Sequence, residues 1–116
     1  MLDFSLTPRG ISIVIPAIAQ HKFELENLCR RHEVRRLELF GSSLSASDFD
    51  EATSDLDFLV EFEPSPSAGY ANAYFGLLEE LELLFGRPVD LIVDSAIRNP
   101  YFRQSVQRNK ALLYGA

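Results

Sequence analysis

The chain has 116 residues, of which 47% are hydrophobic and 24% are charged, and its formal net charge is −6. This length predicts one domain over residues 1–116, and the apolar content excludes a disordered tail. The negative charge argues against a protein that holds nucleic acid through its overall charge, so we expect no nucleic-acid partner.

The N-terminal quarter predicts an arm, a short strand and a helix. Residues 1–10 contain a proline and a glycine and show no periodicity, which predicts a loose arm. Residues 11–15 could form a short edge strand, and Pro16 suits the first turn of a helix. The apolar stripe of that helix has four members: Ile18, Leu25, Leu28 and Cys29. No apolar stretch approaches the ~20 residues of a membrane span, so we expect no membrane contact.

The single cysteine, Cys29, lies on this stripe. One cysteine excludes an internal disulfide and is typical of a reducing compartment, so we expect a cytoplasmic location. His21, His32 and Cys29 form a poor zinc set, because three ligands on one short helix lack the paired spacing of zinc sites. Four basic residues near the helix end fit a solvated terminus better than a contact for an acidic partner or RNA: Arg30, Arg31, Arg35 and Arg36.

Two apolar runs flank a polar segment. Residues 37–40 alternate in polarity and predict the first core strand, which leads into a turn at Gly41 and Ser42. Residues 43–54 are polar and predict a short helix and a loop. Residues 55–62 predict the second strand, with four apolar side chains on the face that packs against helices: Leu56, Phe58, Val60 and Phe62.

The remaining residues predict two helices separated by a third strand. Residues 74–85 have helical apolar spacing, and the Gly-Arg-Pro at 86–88 ends that helix before a strand at 89–93. Asn-Pro at 99–100 is typical of a helix cap followed by a first-turn proline. Residues 111–114 could form a short strand or the frayed end of the last helix. This order predicts an α+β fold, with a small mixed sheet and helices packed on one face.

The polar residues around the Gly-Ser turn indicate a chemical function. Asp55 and Asp57 would lie on one face of the second strand, about 6.6 Å apart, where they repel each other. Oxygen-only ligands at this spacing suit Mg²⁺. The backbone amides and hydroxyl of Gly41 and Ser42, assisted by Ser43, could hold phosphate oxygens. A phosphate-binding turn beside metal-binding carboxylates is typical of phosphoryl or nucleotidyl transfer.

Three separated motifs resemble a known family. Phe40-Gly41-Ser42, residues 54–62 and Val89-Asp90-Leu91-Ile92 resemble, in this order, the minimal nucleotidyltransferases of the DNA polymerase beta superfamily. The resemblance extends from about residue 15 to residue 114. Family members usually have about ten residues between the Gly-Ser and the Asp-x-Asp, and often an arginine soon after the Gly-Ser. Here there are twelve residues, 43–54, and none is arginine.

The resemblance implies a polymerase beta-like fold and the transfer of a nucleoside monophosphate, AMP from ATP, to a hydroxyl group. It implies that Asp55 and Asp57 bridge two Mg²⁺ ions. Asp90 would complete one of the metal sites and help to deprotonate the acceptor hydroxyl. The alternative for Asp90 is an aspartate on an edge strand that faces water, with no chemical role.

The resemblance also implies a protein partner. Similar small nucleotidyltransferases are the antitoxins of HEPN-type toxin ribonucleases and inactivate them by adenylylation of a tyrosine. A protein acceptor also fits the chain itself, because 116 residues leave no room for a second domain that would hold a different acceptor. The alternative is a catalytically degenerate binding module with the same fold, which neutralises its partner by masking it.

Overall fold

The computed structural model describes residues 15–40, 56–108 and 110–115. These residues form, in order, α1 (Ile15–Gln20), α2 (Lys22–Arg31), β1 (Val34–Phe40), β2 (Leu56–Phe62), α3 (Tyr70–Phe85), β3 (Val89–Val93), a 3-10 turn (Asp94–Ala96), α4 (Pro100–Arg108) and β4 (Lys110–Tyr114). The sheet has the strand order β3-β2-β1-β4; β3 runs parallel to β2, and the other two pairs are antiparallel. The predicted α+β fold with a small mixed sheet is therefore confirmed.

Some predicted elements lie outside the described residues, and one predicted boundary differs from the structure. The arm over residues 1–10, most of the strand over 11–15 and the helix and loop over 43–54 lie outside the described residues. Ile15, the last residue of the predicted strand, is instead the first residue of α1. Residues 111–114 are part of a strand, which decides between the two alternatives at that position. Within the described residues, no helix is long and apolar enough to cross a membrane.

The main core lies between one face of the sheet and helices α2 and α3. β2 buries its alternate apolar side chains on this face, as predicted, and Phe58 and Val60 are fully buried. α2 contributes a buried residue at Cys29, whose thiol has its pKa raised by burial to about 12. This confirms Cys29 as a core residue. Leu77 and Leu81 of α3 are also fully buried in this core.

Local sequence signals predicted the end of α3 and the start of α4, and the structure confirms both. α3 ends at Gly86, which has a φ of 65° and donates its backbone N–H to the carbonyl of Glu82 at 2.9 Å. Glycine takes this left-handed conformation without steric cost. The side chain of Asn99 accepts hydrogen bonds from the backbone amides of Tyr101 and Phe102, at 2.8 and 3.1 Å. It therefore caps α4, whose first residue is a proline.

A second, smaller cluster lies on the opposite face of the sheet. Val106 of α4 packs there against Phe40 of β1 and Leu59 of β2, and all three are buried. Ile92 and Ile97 complete the cluster. α4 therefore covers part of the face that carries the odd-numbered polar residues of β2, while α2 and α3 cover the other face. The helices thus pack on both faces of the sheet and not on one face as predicted, because Phe40 and Leu59 are apolar side chains of the second face that α4 buries.

Helices α2 and α3 are joined by charged groups and by one close approach. Glu80 of α3 pairs with Arg31 and with the ring of His32, whose Nε2 lies 2.5 Å from Glu80 Oε2. Burial alone would raise the pKa of Glu80, but the hydrogen bonds from His32 and Arg31 outweigh it, and the pKa is lowered. One turn earlier, Gly76 leaves space for the imidazole: a Cβ atom there would lie 2.7 Å from His32 Cε1.

We predict that Gly76→Ala destabilises the protein, although alanine is favoured over glycine in a helix by about 1 kcal/mol. The added methyl group must displace the His32 ring and break its contact with Glu80. In a His32→Ala background the obstacle is absent, so the same substitution should stabilise the protein by up to about 1 kcal/mol. Thermal and urea unfolding of the four proteins of this cycle measures both effects. Equal stabilisation in both backgrounds would show that the close approach has no energetic weight.

Candidate active site

Two of the three predicted carboxylates are neighbours in the sheet. The parallel pairing of β2 and β3 places Asp57 directly opposite Asp90. Directly paired residues project to the same face, and neighbouring strands lie about 4.8 Å apart. Asp57 is half-buried and Asp90 is exposed. The structure therefore brings together two carboxylates that are 33 positions apart in the sequence.

The pleat of the strands decides which way these carboxylates face. Leu56 and Phe58 flank Asp57 and are buried in the main core, so Asp57 projects to the opposite face. Leu91, which follows Asp90, is buried in the same core. Asp90 therefore lies on the face that carries Asp57 and is an exposed residue of an edge strand, as one of the two sequence interpretations expects.

The other predicted site residues lie outside the described residues: Gly41, Ser42, Ser43 and Asp55. Their positions and their roles remain predictions from the sequence. Within the described part of the chain, no group of three or more His, Cys, Asp or Glu residues could hold a metal ion. The carboxylates of Asp57 and Asp90 would supply oxygen ligands of the kind that suits Mg²⁺, and such a site would need further oxygen atoms to complete its shell.

A row of four paired residues crosses the sheet at this edge. Lys110 of β4 is opposite Phe40 of β1, Phe40 is opposite Asp57, and Asp57 is opposite Asp90. The row thus has a cation at one end and two carboxylates at the other, separated by a buried aromatic ring. Phe40 also directly precedes the Gly-Ser turn in the sequence. We call these four residues the cross-strand row.

Behind this row lies a network of charged side chains. Glu38 is only 6% exposed and has two cationic partners, Lys110 at 3.2 Å and Arg36 at 3.3 Å. Arg36 also pairs with Asp94 at 2.7 Å, and Asp94 pairs with Arg103 of α4 at 3.1 Å. A buried carboxylate is costly unless it is paired. The network therefore ties β1, β4, the end of β3 and α4 to one another.

Tyr74 of α3 reaches the strand that carries Asp90. Its hydroxyl donates a hydrogen bond to the backbone carbonyl of Leu91 at 2.6 Å. Burial raises the pKa of this hydroxyl, and the nearby charge of Asp90 raises it further. Tyr74 thus stays protonated and fixes the strand segment that holds Asp90. Its position in the helical apolar stripe predicted a core residue, but nothing in the local pattern indicated this hydrogen bond.

Most residues of the alternative sites from the sequence have structural contacts, whereas Arg35 is exposed. Arg31 pairs with Glu80, Arg36 belongs to the network around Glu38, and Arg30 donates to the side chain of Asn27 at 2.6 Å. The three candidate zinc ligands also have separate environments. The ring of His21 packs edge-on against Phe85, His32 pairs with Glu80, and Cys29 lies in the core.

Residues 24–113 match the family model of the nucleotidyltransferase domain, which covers most of the chain and contains both described carboxylates. The chain belongs to the nucleotidyltransferase domain family. Among its relatives is a candidate protein adenylyltransferase, MJ1379, of Methanocaldococcus jannaschii, 31% identical over 87% of this chain and 95% of the relative. The protein adenylyltransferase MntA of Thermococcus cleftensis is 35% identical over 81% of this chain and 84% of the relative.

Solved structures have the same fold. A candidate minimal nucleotidyltransferase superposes with a TM-score of 0.67 at 29% identity, over 84% of this chain and 93% of that chain. An MNT antitoxin in complex with a tri-AMPylated HEPN toxin of Shewanella oneidensis superposes with a TM-score of 0.58, over 84% of this chain and 72% of that chain. At 20% identity, this second likeness shows the fold alone.

These comparisons confirm the family that the motifs indicated, and they identify the protein as a nucleotidyltransferase. Members of this family generally use a nucleoside triphosphate and a divalent metal. The described geometry fits that chemistry, since the paired carboxylates of Asp57 and Asp90 face away from the core. The nucleotidyltransferase has this pair at the edge of the sheet where β1 ends and β2 and β3 begin.

We predict that Asp90→Asn stabilises the metal-free protein at low ionic strength by a few tenths of a kcal/mol, or about 1–3 °C in Tm, because it relieves repulsion across the β2–β3 pair. High salt should reduce this gain. Magnesium should raise the Tm of the wild-type protein and have a much smaller effect on Asp90→Asn. Glu63→Gln, which removes an exposed charge elsewhere, is the matched control for the overall charge. Equal responses of both variants to magnesium would mean that Asp90 holds no metal.

Proposed function

We propose that this nucleotidyltransferase transfers AMP from ATP to a hydroxyl group of a protein partner, and that it acts as the antitoxin of a HEPN-type toxin. The observation that carries the proposal is the pair of Asp57 and Asp90, side by side on the face opposite the main core. The names of the relatives, which are protein adenylyltransferases, support the choice of AMP and of a protein acceptor.

In this proposal Asp55, Asp57 and Asp90 would hold two Mg²⁺ ions. When bound, the ions would polarise the α-phosphate and stabilise the leaving pyrophosphate. The backbone amides of Gly41 and Ser42, with Ser43, bind the outer phosphates. The acceptor oxygen forms a bond to the α-phosphorus, the bond to the bridging oxygen of the pyrophosphate breaks, and Asp90 receives the proton of the acceptor hydroxyl.

The chain itself supports an acceptor that brings its own binding surface. Asp90 is an exposed residue of an edge strand, so a large partner can approach it from the solvent. A folded protein that presents one hydroxyl fits this approach better than a free nucleic acid, because the chain has a net charge of −6. An antitoxin complex of the same fold with a modified HEPN toxin supports this class of partner. We place the reaction in the cytoplasm, in keeping with the single, buried cysteine.

A second candidate function is a binding module that has lost transfer activity and masks its partner. One sequence observation favours it: the segment between the Gly-Ser and the Asp-x-Asp has twelve residues, two more than is usual, and contains no arginine. Both functions share the fold and the partner. They differ in whether the partner is covalently changed.

We predict that co-expression with a HEPN-type partner encoded next to this chain yields partner molecules heavier by about 329 Da for each AMP transferred, a reaction that needs magnesium. Intact-mass spectrometry measures the adduct. Asp55→Asn or Asp57→Asn should abolish the adduct and leave the fold intact. Glu63→Gln should keep it, because this exposed residue lies at the opposite end of β2 from Asp57.

The same experiment separates the two candidates. A stable complex in which the partner keeps its unmodified mass supports the masking module. An adduct of unchanged yield in Asp57→Asn would contradict the assignment of the carboxylates. An adduct that appears without magnesium would contradict the metal requirement.

A further inference from the structure

The C-terminal part of the chain differs in charge from the rest. Residues 95–116 contain four basic residues and no acidic residue, although the net charge of the chain is −6: Arg98, Arg103, Arg108 and Lys110. Arg103 and Lys110 pair with carboxylates of the network around Glu38. Arg98 and Arg108 are exposed, and neither pairs with a carboxylate of the described residues. α4 and its flanks therefore form a basic region on an acidic protein, which attracts anionic ligands.

The first turn of α4 also exposes two aromatic rings. Tyr101 is 81% exposed and Phe102 is 41% exposed. The core does not require them, because Val106 fills the cluster beneath the helix. A depression of about 460 Å³ lies beside Tyr101, a size found in sites for small molecules, and is lined by Pro100, Arg103 and Gln104. We call Tyr101 and Phe102 the α4 ring pair.

Phe102, one member of the α4 ring pair, lies beside the cross-strand row. The ring of Phe102 makes an edge contact with the ring of Phe40, with centroids 6.2 Å apart and planes at 76°. Phe40 is the cross-strand neighbour of Asp57. The exposed rings lie on a basic helix, one strand away from the strand that carries Asp57. A nucleoside triphosphate needs a surface for its base and positive charge near its phosphates, and this helix offers both.

We propose that the α4 ring pair binds the base of the nucleoside triphosphate by stacking and so positions the nucleotide beside the cross-strand row. This inference rests on the proposed function, because it takes its ligand to be the nucleotide substrate of that reaction. The exposed Arg108, at the end of α4 that leads into Lys110, adds positive charge to the same helix. Stacking recognises the face of a ring, and every base has such a face, so the surface should discriminate little between ATP and GTP. Purines have the larger ring system and should therefore bind more tightly than pyrimidines.

Two substitutions test the ring pair without removing the helix. Tyr101→Ala changes a side chain that is almost fully exposed, so the fold should not depend on it. Phe102→Leu keeps an apolar side chain against Phe40 and removes the aromatic face. Phe75→Ala is the matched control, because Phe75 is an aromatic residue of α3 that is 65% exposed, on the helix that covers the opposite face of the sheet.

The experiment measures, by titration calorimetry with magnesium present, the Kd of each variant for a non-hydrolysable ATP analogue and for inorganic tripolyphosphate, which has no base. We expect the double variant Tyr101→Ala/Phe102→Leu to bind the ATP analogue about 10-fold or more weakly, since stacking on an aromatic ring contributes at this level. Its Kd for tripolyphosphate should stay unchanged. Phe75→Ala should bind both ligands as the wild-type protein does.

Three results would overturn the inference. An unchanged Kd for the ATP analogue in the double variant excludes base stacking at this surface. A parallel loss of tripolyphosphate binding means that the rings act through the structure of α4 rather than on the base. Normal nucleotide binding combined with loss of transfer to the protein partner assigns the rings to the acceptor. A wild-type protein that binds neither ligand removes the proposed function itself, and this separates its failure from a failure of the ring pair alone.

Discussion

The alternation of side chains along β2 is the constraint on which the rest of the structure depends. β2 is a central strand, with β3 on one side and β1 on the other, and its even-numbered residues from Leu56 to Phe62 are buried in the main core. A shift of register by one residue would place Asp57 in that core and Phe58 in solvent. The same hydrophobic burial that stabilises the sheet therefore directs Asp57 to the opposite face. The parallel register with β3 then places Asp90 beside it.

The two faces of the sheet are covered by different helices. α2 and α3 close the main core, and the contacts of Arg31 and His32 with Glu80 hold those helices together. Among the described residues, the other face has the small cluster under Val106, and there the cross-strand row contains the half-buried Asp57 and the exposed Asp90. Under the proposed function, a nucleotide and an acceptor would both reach the carboxylates on this face.

The buried charge of Glu38 links stability to the arrangement of the site. Its partners Lys110 and Arg36 come from the neighbouring strand and from its own strand, and Arg36 continues through Asp94 to Arg103 of α4. Breaking a buried pair by removal of one partner is costly, because it leaves the other charge unpaired. The network thus holds α4 across the sheet, where the ring of Phe102 contacts the ring of Phe40. The Gly-Ser turn and Asp55 enter this arrangement only as predictions, since both lie outside the described residues.

Local sequence patterns are enough to predict those structural features that depend on residues close together in the chain. The strand alternation, the end of α3 at Gly86, the cap at Asn99 and the burial of Cys29 all follow from local propensity and periodicity. The motifs around Asp57 and Asp90 also identified the family, because their residues and their order along the chain resemble it. Tertiary structure alone decided which distant residues meet: the register that joins Asp57 to Asp90, and the pairing of Glu38 with Lys110, 72 positions later. Such contacts depend on strand order and helix packing, which many different sequence patterns share, and no local signal at either residue specifies its partner.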